Sequence, residues 1–291
     1  MNLRFEYILE KSWPTLAWVA ECTESEPILR VRHGSRVETR DAWFCEAIWD
    51  GDFHAGDFDR TDLVFGSGVR LRENLAVFVS SGSTVDRLQS LKLGNKIFVS
   101  NSLACLLAMR KTKVDPSYER YQALFRSVER GIDSYEKRLP TLDGILELVY
   151  FRNLQWDGGR LSEVDKAAPV RDFSSFAGYC GFLNASMASI AENMRATSRG
   201  HRYDMVGALS SGYDSTTTAV LARQAGMKRV FSFRRARGGL EDHGSKVAEI
   251  LGLDLTLLDR LGWQLIAAAA MVLLLFVREG RARTDVTKKA V

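Results

Sequence analysis

The sequence lacks closely spaced metal-ligand pairs. Its four cysteines (Cys22, Cys45, Cys105, Cys180) form no C-x-x-C pair, and its four histidines (His33, His54, His201, His243) are scattered. Zinc sites need paired ligands at short spacing, so a metal cluster of that kind is not expected. A charged-then-apolar leader is missing from Met1-Asn2-Leu3-Arg4-Phe5-Glu6. Together with free thiols, that points to a reducing, cytoplasmic setting. A dominant charge sign is missing too. The 40 Lys and Arg against 36 Asp and Glu leave a net charge of only +4, and the basic residues are spread along the chain. A nucleic-acid binder should show a basic patch or stripe, so no nucleic-acid partner is expected. The densest cluster, Arg234, Arg235 and Arg237, reads as a solvated loop or as a phosphate contact.

The apolar run at residues 265–277, LIAAAAMVLLLFV, falls short of the roughly 20 residues that span a bilayer. Arg278, Arg281 and Arg283 follow it. It has three readings: a buried helix, a membrane anchor, or a tail translated out of frame. A membrane is not the expected partner, and a homo-oligomer is left open.

What is present is a globular composition, 46% hydrophobic and 26% charged, over 291 residues. That suffices for two domains with substantial cores. Up to about residue 168 the pattern is mostly β. Short apolar runs at residues 28–31, 75–79 and 96–100 are bounded by Gly66-Ser67-Gly68, Ser81-Gly82-Ser83 and Gly94-Asn95. Gly94-Asn95 predicts a hairpin. Helices are expected at residues 101–110, where Leu103, Leu106 and Leu107 repeat at helical spacing, and from near Pro116 through Val128. A strand is expected at residues 144–151, and a polar linker from Trp156-Asp157-Gly158-Gly159 onward.

From Ser174 the pattern turns helical. Phe176, Tyr179, Cys180, Leu183, Met187, Ile190 and Met194 share a face, which reads as core packing. Then come strand 205–209, helix 215–225, strand 229–233, helix 243–251 and strand 253–258. Alternating strands and helices predict a parallel sheet with helical crossovers.

The chemistry concentrates at Leu209-Ser210-Ser211-Gly212-Tyr213-Asp214-Ser215. A short strand runs into small hydroxyl residues and a glycine, and a helix follows. Small side chains let backbone amides approach a phosphate, and a helix N-terminus adds unpaired N–H groups. Ser210, Ser211 and Ser215 can donate hydroxyls. Asp214 would repel phosphate unless a cation lay between them, so it reads as a magnesium ligand. The bland alternative is that Asp214 or Ser215 caps the helix. Capping alone leaves the two serines and the glycine unexplained. Gly239-Leu240-Glu241-Asp242-His243-Gly244-Ser245-Lys246 looks like a Walker A loop but is rejected. Its lysine is displaced from the second glycine, and its acidic pair would repel phosphate.

The loop resembles the S-G-G-x-D-S signature of PP-loop ATP pyrophosphatases, matching at Ser210, Gly212, Asp214 and Ser215. Ser211 departs from it, where the family has glycine. The resemblance implies that residues 210–215, Tyr213 included, contact ATP and its pyrophosphate. It also places adenine against Leu209, Ser232 and Phe233, and metal on Asp214. The acidic stretch Glu241-Asp242 before the last helix is similar to the family's corresponding segment.

Upstream, Ser81-Gly82-Ser83-Thr84-Val85-Asp86-Arg87, the hairpin, residues 99–107 and Leu139-Pro140-Thr141-Leu142-Asp143-Gly144 resemble the glutaminase-type domain of asparagine and β-lactam synthetases. The implied fold is α/β. Residues 1–168 form a degenerate glutaminase-type (Ntn-like) β-rich domain. Residues 169–260 form a partial doubly wound PP-loop domain, and residues 261–291 an apolar then basic tail. The implied cofactors are ATP and Mg2+, and the implied substrates a small carboxylate and an amine joined as an amide. Residue 2 is Asn2, where the active glutaminases of this class carry the N-terminal cysteine, so glutamine hydrolysis is not expected. The family's later S-G-x-G-x-D loop has no match after Asp259. A truncated, non-catalytic nucleotide-binding product is therefore the expectation set against the ligase, with a membrane-associated ATP-binding protein as a further rival.

Overall fold

A computed structural model describes residues 2–235 and 243–259. The chain is mixed α/β and rich in sheet, and it divides into two compact units at Tyr203/Asp204. The division lies C-terminal to the boundary expected at residue 168, so the long helix after the linker belongs to the first unit.

The first strands of that unit are Arg4–Leu9 (β1), Trp18–Thr23 (β2), Ile28–His33 (β3), Glu38–Thr39 (β4), Trp43–Cys45 (β5), Ile48–Trp49 (β6), Val64–Phe65 (β7) and Gly68–Arg72 (β8). Leu75–Val79 (β9), Leu88–Leu93 (β10), Lys96–Ser100 (β11), Arg138–Thr141 (β12), Gly144–Val149 (β13), Asn153–Trp156 (β14) and Leu161–Val164 (β15) complete them. The helices are Leu103–Arg110 (α1), Tyr121–Arg126 (α2) and Phe176–Arg195 (α3). One sheet has the order β1-β3-β2-β11-β10-β13-β12 and the other β15-β14-β9-β8-β5-β4.

Strand alternation builds the layers, because successive side chains leave opposite faces. Along β2, Trp18, Ala20 and Cys22 enter one core while Val19 enters another. The first core lies between the sheets. There Trp18 meets Phe44 edge-on at 5.1 Å, and Phe78 and Trp156 are fully buried. Each such aromatic contributes about 1.5–3 kcal/mol by leaving water. The second core joins the outer face of the longer sheet, through Leu91, Phe98 and Leu148, to Leu106 of α1 and Leu124 of α2. The third lies on the outer face of the other sheet. Trp43, Trp49, Phe53 and Phe58 cluster there, and Ala196, just past α3, packs on them.

The Gly94-Asn95 hairpin joins β10 to β11, with Leu93 opposite Lys96 and Gly94 at φ +59°. That left-handed backbone suits glycine. Two expectations are corrected. The helix expected from Pro116 begins only at Tyr121 and passes into a 3-10 turn at Ser127–Arg130. The turn expected at Trp156-Asp157-Gly158-Gly159 forms, closed by Asp157 accepting from the N–H groups of Gly159 and Arg160, but it joins β14 to β15, so the polar linker starts only after Val164.

The second unit holds Val206–Ala208 (β16), Tyr213–Gln224 (α4), Arg229–Phe233 (β17), Ser245–Leu251 (α5) and Asp254–Leu258 (β18). Its strands are all parallel, in the order β16-β17-β18. That is the helix-crossover arrangement expected from the alternation of patterns. The run at residues 265–277 lies outside the described residues.

Candidate functional site

The loop from Leu209 to Gly212 leaves the carboxyl end of β16 and enters α4, with Gly212 as N-cap and no capping side chain. The bland capping reading of Asp214 and Ser215 is thus not what forms. Ser215 instead closes the loop. Its hydroxyl accepts from the Ser210 N–H (3.0 Å), pairs with the Ser210 hydroxyl (2.9 Å) and reaches the Gly212 carbonyl (3.2 Å). The Gly212 N–H donates to Ser210 Oγ at 3.1 Å. Ser211, Gly212, Tyr213 and Asp214 are exposed, and Tyr213 is 92% exposed.

The departure at Ser211 carries no backbone strain. Gly212 has φ −74° and ψ 154°, and Ser211 is not among the positive-φ residues. The loop asks for small side chains, not for a left-handed backbone. Asp214 stands in the first turn of α4. Among the described residues, no group of three His, Cys, Asp or Glu converges. A magnesium ion bound chiefly by nucleotide phosphates needs only one or two protein carboxylates, which a single aspartate can meet.

Leu209 and Ser232 are buried, and Phe233 is 38% exposed. Ala208 lies opposite Phe231 in the ladder, so the loop and the end of β17 are neighbours at one edge of the sheet. In parallel sheets, ligands bind at the carboxyl ends of strands. Gly244 was singled out in the sequence only as part of the rejected Walker-like run. It proves to be where α5 meets this edge. Its N–H donates to Ser232 Oγ (3.2 Å), and an added Cβ would lie 2.9 Å from Leu209 Cδ2 and nearer still to Cγ. Spacing alone gives no sign of this contact, because it is made across the fold. Arg234 and Arg235 follow β17, whereas Arg237, Glu241 and Asp242 lie outside the described residues.

The first unit holds two polar clusters that sequence reasoning missed. Glu46 Oε1 accepts from Ser67 Oγ (2.6 Å) and Asn101 Nδ2 (3.2 Å), and Trp18 Nε1 donates to Ser67 Oγ (3.1 Å). Burial, which outweighs these hydrogen bonds, pushes the Glu46 carboxyl up to about 7. Lys166 Nζ donates to the Ser80 carbonyl (2.5 Å) and Asn153 Oδ1 (2.7 Å). Burial brings this lysine down to about 7, against the opposing pull of Asp62.

No family model and no curated protein matches the chain.

Proposed function

We propose that the second unit binds Mg-ATP through the loop from Ser210 to Ser215, in the manner of PP-loop ATP pyrophosphatases related to asparagine synthetases. The chemistry that follows from this reading is amide formation by way of an acyl adenylate. The observation that carries it is the loop itself. Two serine hydroxyls and the exposed Ser211-Gly212-Tyr213 backbone lie at the start of a 12-residue helix, at the carboxyl edge of a parallel sheet.

In this reading the Ser210 and Ser215 hydroxyls exchange their mutual bond for phosphate oxygens. The first-turn amides of α4 face the same anion, favoured by the helix dipole. Leu209 and the end of β17 border the adenine. Asp214 would hold magnesium, which would supply charge to stabilise the leaving pyrophosphate. A substrate carboxylate oxygen bonds to the α-phosphorus as the α–β phosphoanhydride bond breaks. An amine nitrogen then attacks the acyl carbon, AMP leaves, and the amine releases a proton to water.

The first unit fits a glutaminase-type domain without the hydrolase. Supporting this are the two face-to-face sheets with helices outside. Two of its cysteines, Cys22 and Cys45, are also poor nucleophiles. Cys22 is fully buried, and burial pushes its thiol well above the usual range; Cys45 is pushed up to about 12. A thiolate is the reactive form, and neither residue offers one near neutral pH.

Binding without turnover is the second reading. Asp214 being the only carboxylate on the 210–215 loop favours it. ATP–pyrophosphate exchange across a panel of small carboxylates, run beside equilibrium binding of Mg-ATP, separates the two. Exchange supports the ligase, binding alone supports the second reading, and absence of both removes the nucleotide reading. Asp214→Asn should weaken Mg-ATP binding about tenfold while leaving metal-free ATP binding within about twofold, a difference near 1.4 kcal/mol.

A further inference from the structure

A groove of about 580 Å³ opens on the first unit beside α1. Its size is within the usual range of small-ligand sites. Leu103 and Leu107, one helical turn apart on α1, form one wall. Val114 and Tyr121 contribute to it, as does Ala104, which is exposed on α1.

Arg87 supplies the charge. Its guanidinium lies 4.0 Å from the centre of the Phe125 ring and 5.8 Å from that of Tyr150. Its Nε is buried with no hydrogen-bond partner, and no described carboxylate lies within ion-pair distance. A stacked, partly desolvated guanidinium with no counter-ion is prepared for a planar anion, which its fork geometry can grip with two hydrogen bonds. Asp115 also lines the groove, but its Oδ1 is held by the Ser117 N–H (2.9 Å) and hydroxyl (2.7 Å). Its charge disfavours a dianion such as phosphate beside Arg87, while a single carboxylate brings less repulsion. The apolar walls suit an alkyl or aryl body.

We infer that this groove binds a small amphipathic monocarboxylate, its carboxylate on Arg87 and its apolar body along Leu103 and Leu107. Two features independent of each other, a guanidinium without an ion pair and the apolar side chains that line the same open groove, define the same ligand.

The test is a methyl NMR titration of the full-length protein, labelled at Leu and Val, with octanoate, octanol and octylamine. Octanoate is expected to shift the Leu103, Leu107 and Val114 methyls and to bind at least tenfold tighter than octanol, with octylamine weaker still. Arg87→Met should bring octanoate to within about twofold of octanol. Ala104→Trp, which fills the groove from an exposed helix position, should weaken octanoate and octanol alike by tenfold or more, and it tests the site even should Arg87→Met fail to fold. No preference for octanoate, shifts at other methyls, or full binding in Ala104→Trp would overturn the proposal.

Discussion

At the scale of single residues, Glu46 and Lys166 are half-buried ionisable groups with opposite linkage to pH. The Glu46 carboxyl rises from an ordinary value of 4.5 to about 7. Between these values the folded chain keeps a proton that the unfolded chain has lost. Its contribution is therefore full below about 4.5 and is lost as pH rises through about 7. Lys166 falls from 10.5 to about 7, so the unfolded chain holds the extra proton across that window. Its contribution is full above about 10.5 and is lost as pH falls through about 7. The two together place a minimum of stability near pH 7. Glu46→Gln removes the first slope. Urea midpoints at pH 5 and pH 8 should show the variant gaining on the wild type as pH rises; parallel shifts at both pH values would contradict this. None of this was legible in the sequence. Glu46 is separated from Ser67 and Asn101 along the chain, and the strands bring them together.

At the scale of elements, β9 and β11 coincide with the runs read from composition, since both are buried on both faces and so read as continuous apolar stretches. The edge strands β1, β4 and β15 carry no such signal. Half-exposed or very short, they mix polar and apolar residues. The β-α-β-α-β order of the second unit was legible from alternating periods, and the loop before α4 from small residues between strand and helix. The contact between Leu209 and α5 was not. Gly244 allows it, so Gly244→Val should cost about 1–3 kcal/mol through overpacking. The denaturation midpoint of the second unit would show that loss, and a midpoint unchanged within error would mean that α5 does not press on Leu209.

At the scale of the whole molecule, the division at Tyr203/Asp204 is the feature least accessible to sequence. The compositional change near residue 169 marks where helix replaces strand. Yet α3 and the segment just after it are tied to the strands of the first unit by long-range bonds. Asn193 Nδ2 donates to the Gly51 carbonyl (2.8 Å), and buried Arg199 Nη2 donates to the Ala47 carbonyl (2.9 Å). Among the described residues, no helix is long and apolar enough to cross a membrane. On the proposed reading, nucleotide binding acts on the second unit, which holds the 210–215 loop. Mg-ATP at a hundredfold excess over its Kd should stabilise the second unit by about 2.7 kcal/mol. Hydrogen exchange should slow in β16, α4 and β17, with β2 and β11 unaffected. Equal protection of both units would show that the ligand does not act through the loop.

Nucleotide binding at the loop is tested by a calorimetric titration of Mg-ATP and Mg-AMP into the full chain and into Tyr213→Glu. That side chain is 92% exposed and begins α4, so an acidic replacement suits the helix dipole while repelling phosphate. ATP should bind at least tenfold tighter than AMP, the variant should lose this difference, and its denaturation midpoint should be unchanged. ATP binding equally well to the variant, or no binding to the wild type, would contradict a phosphate site at Ser210–Ser215.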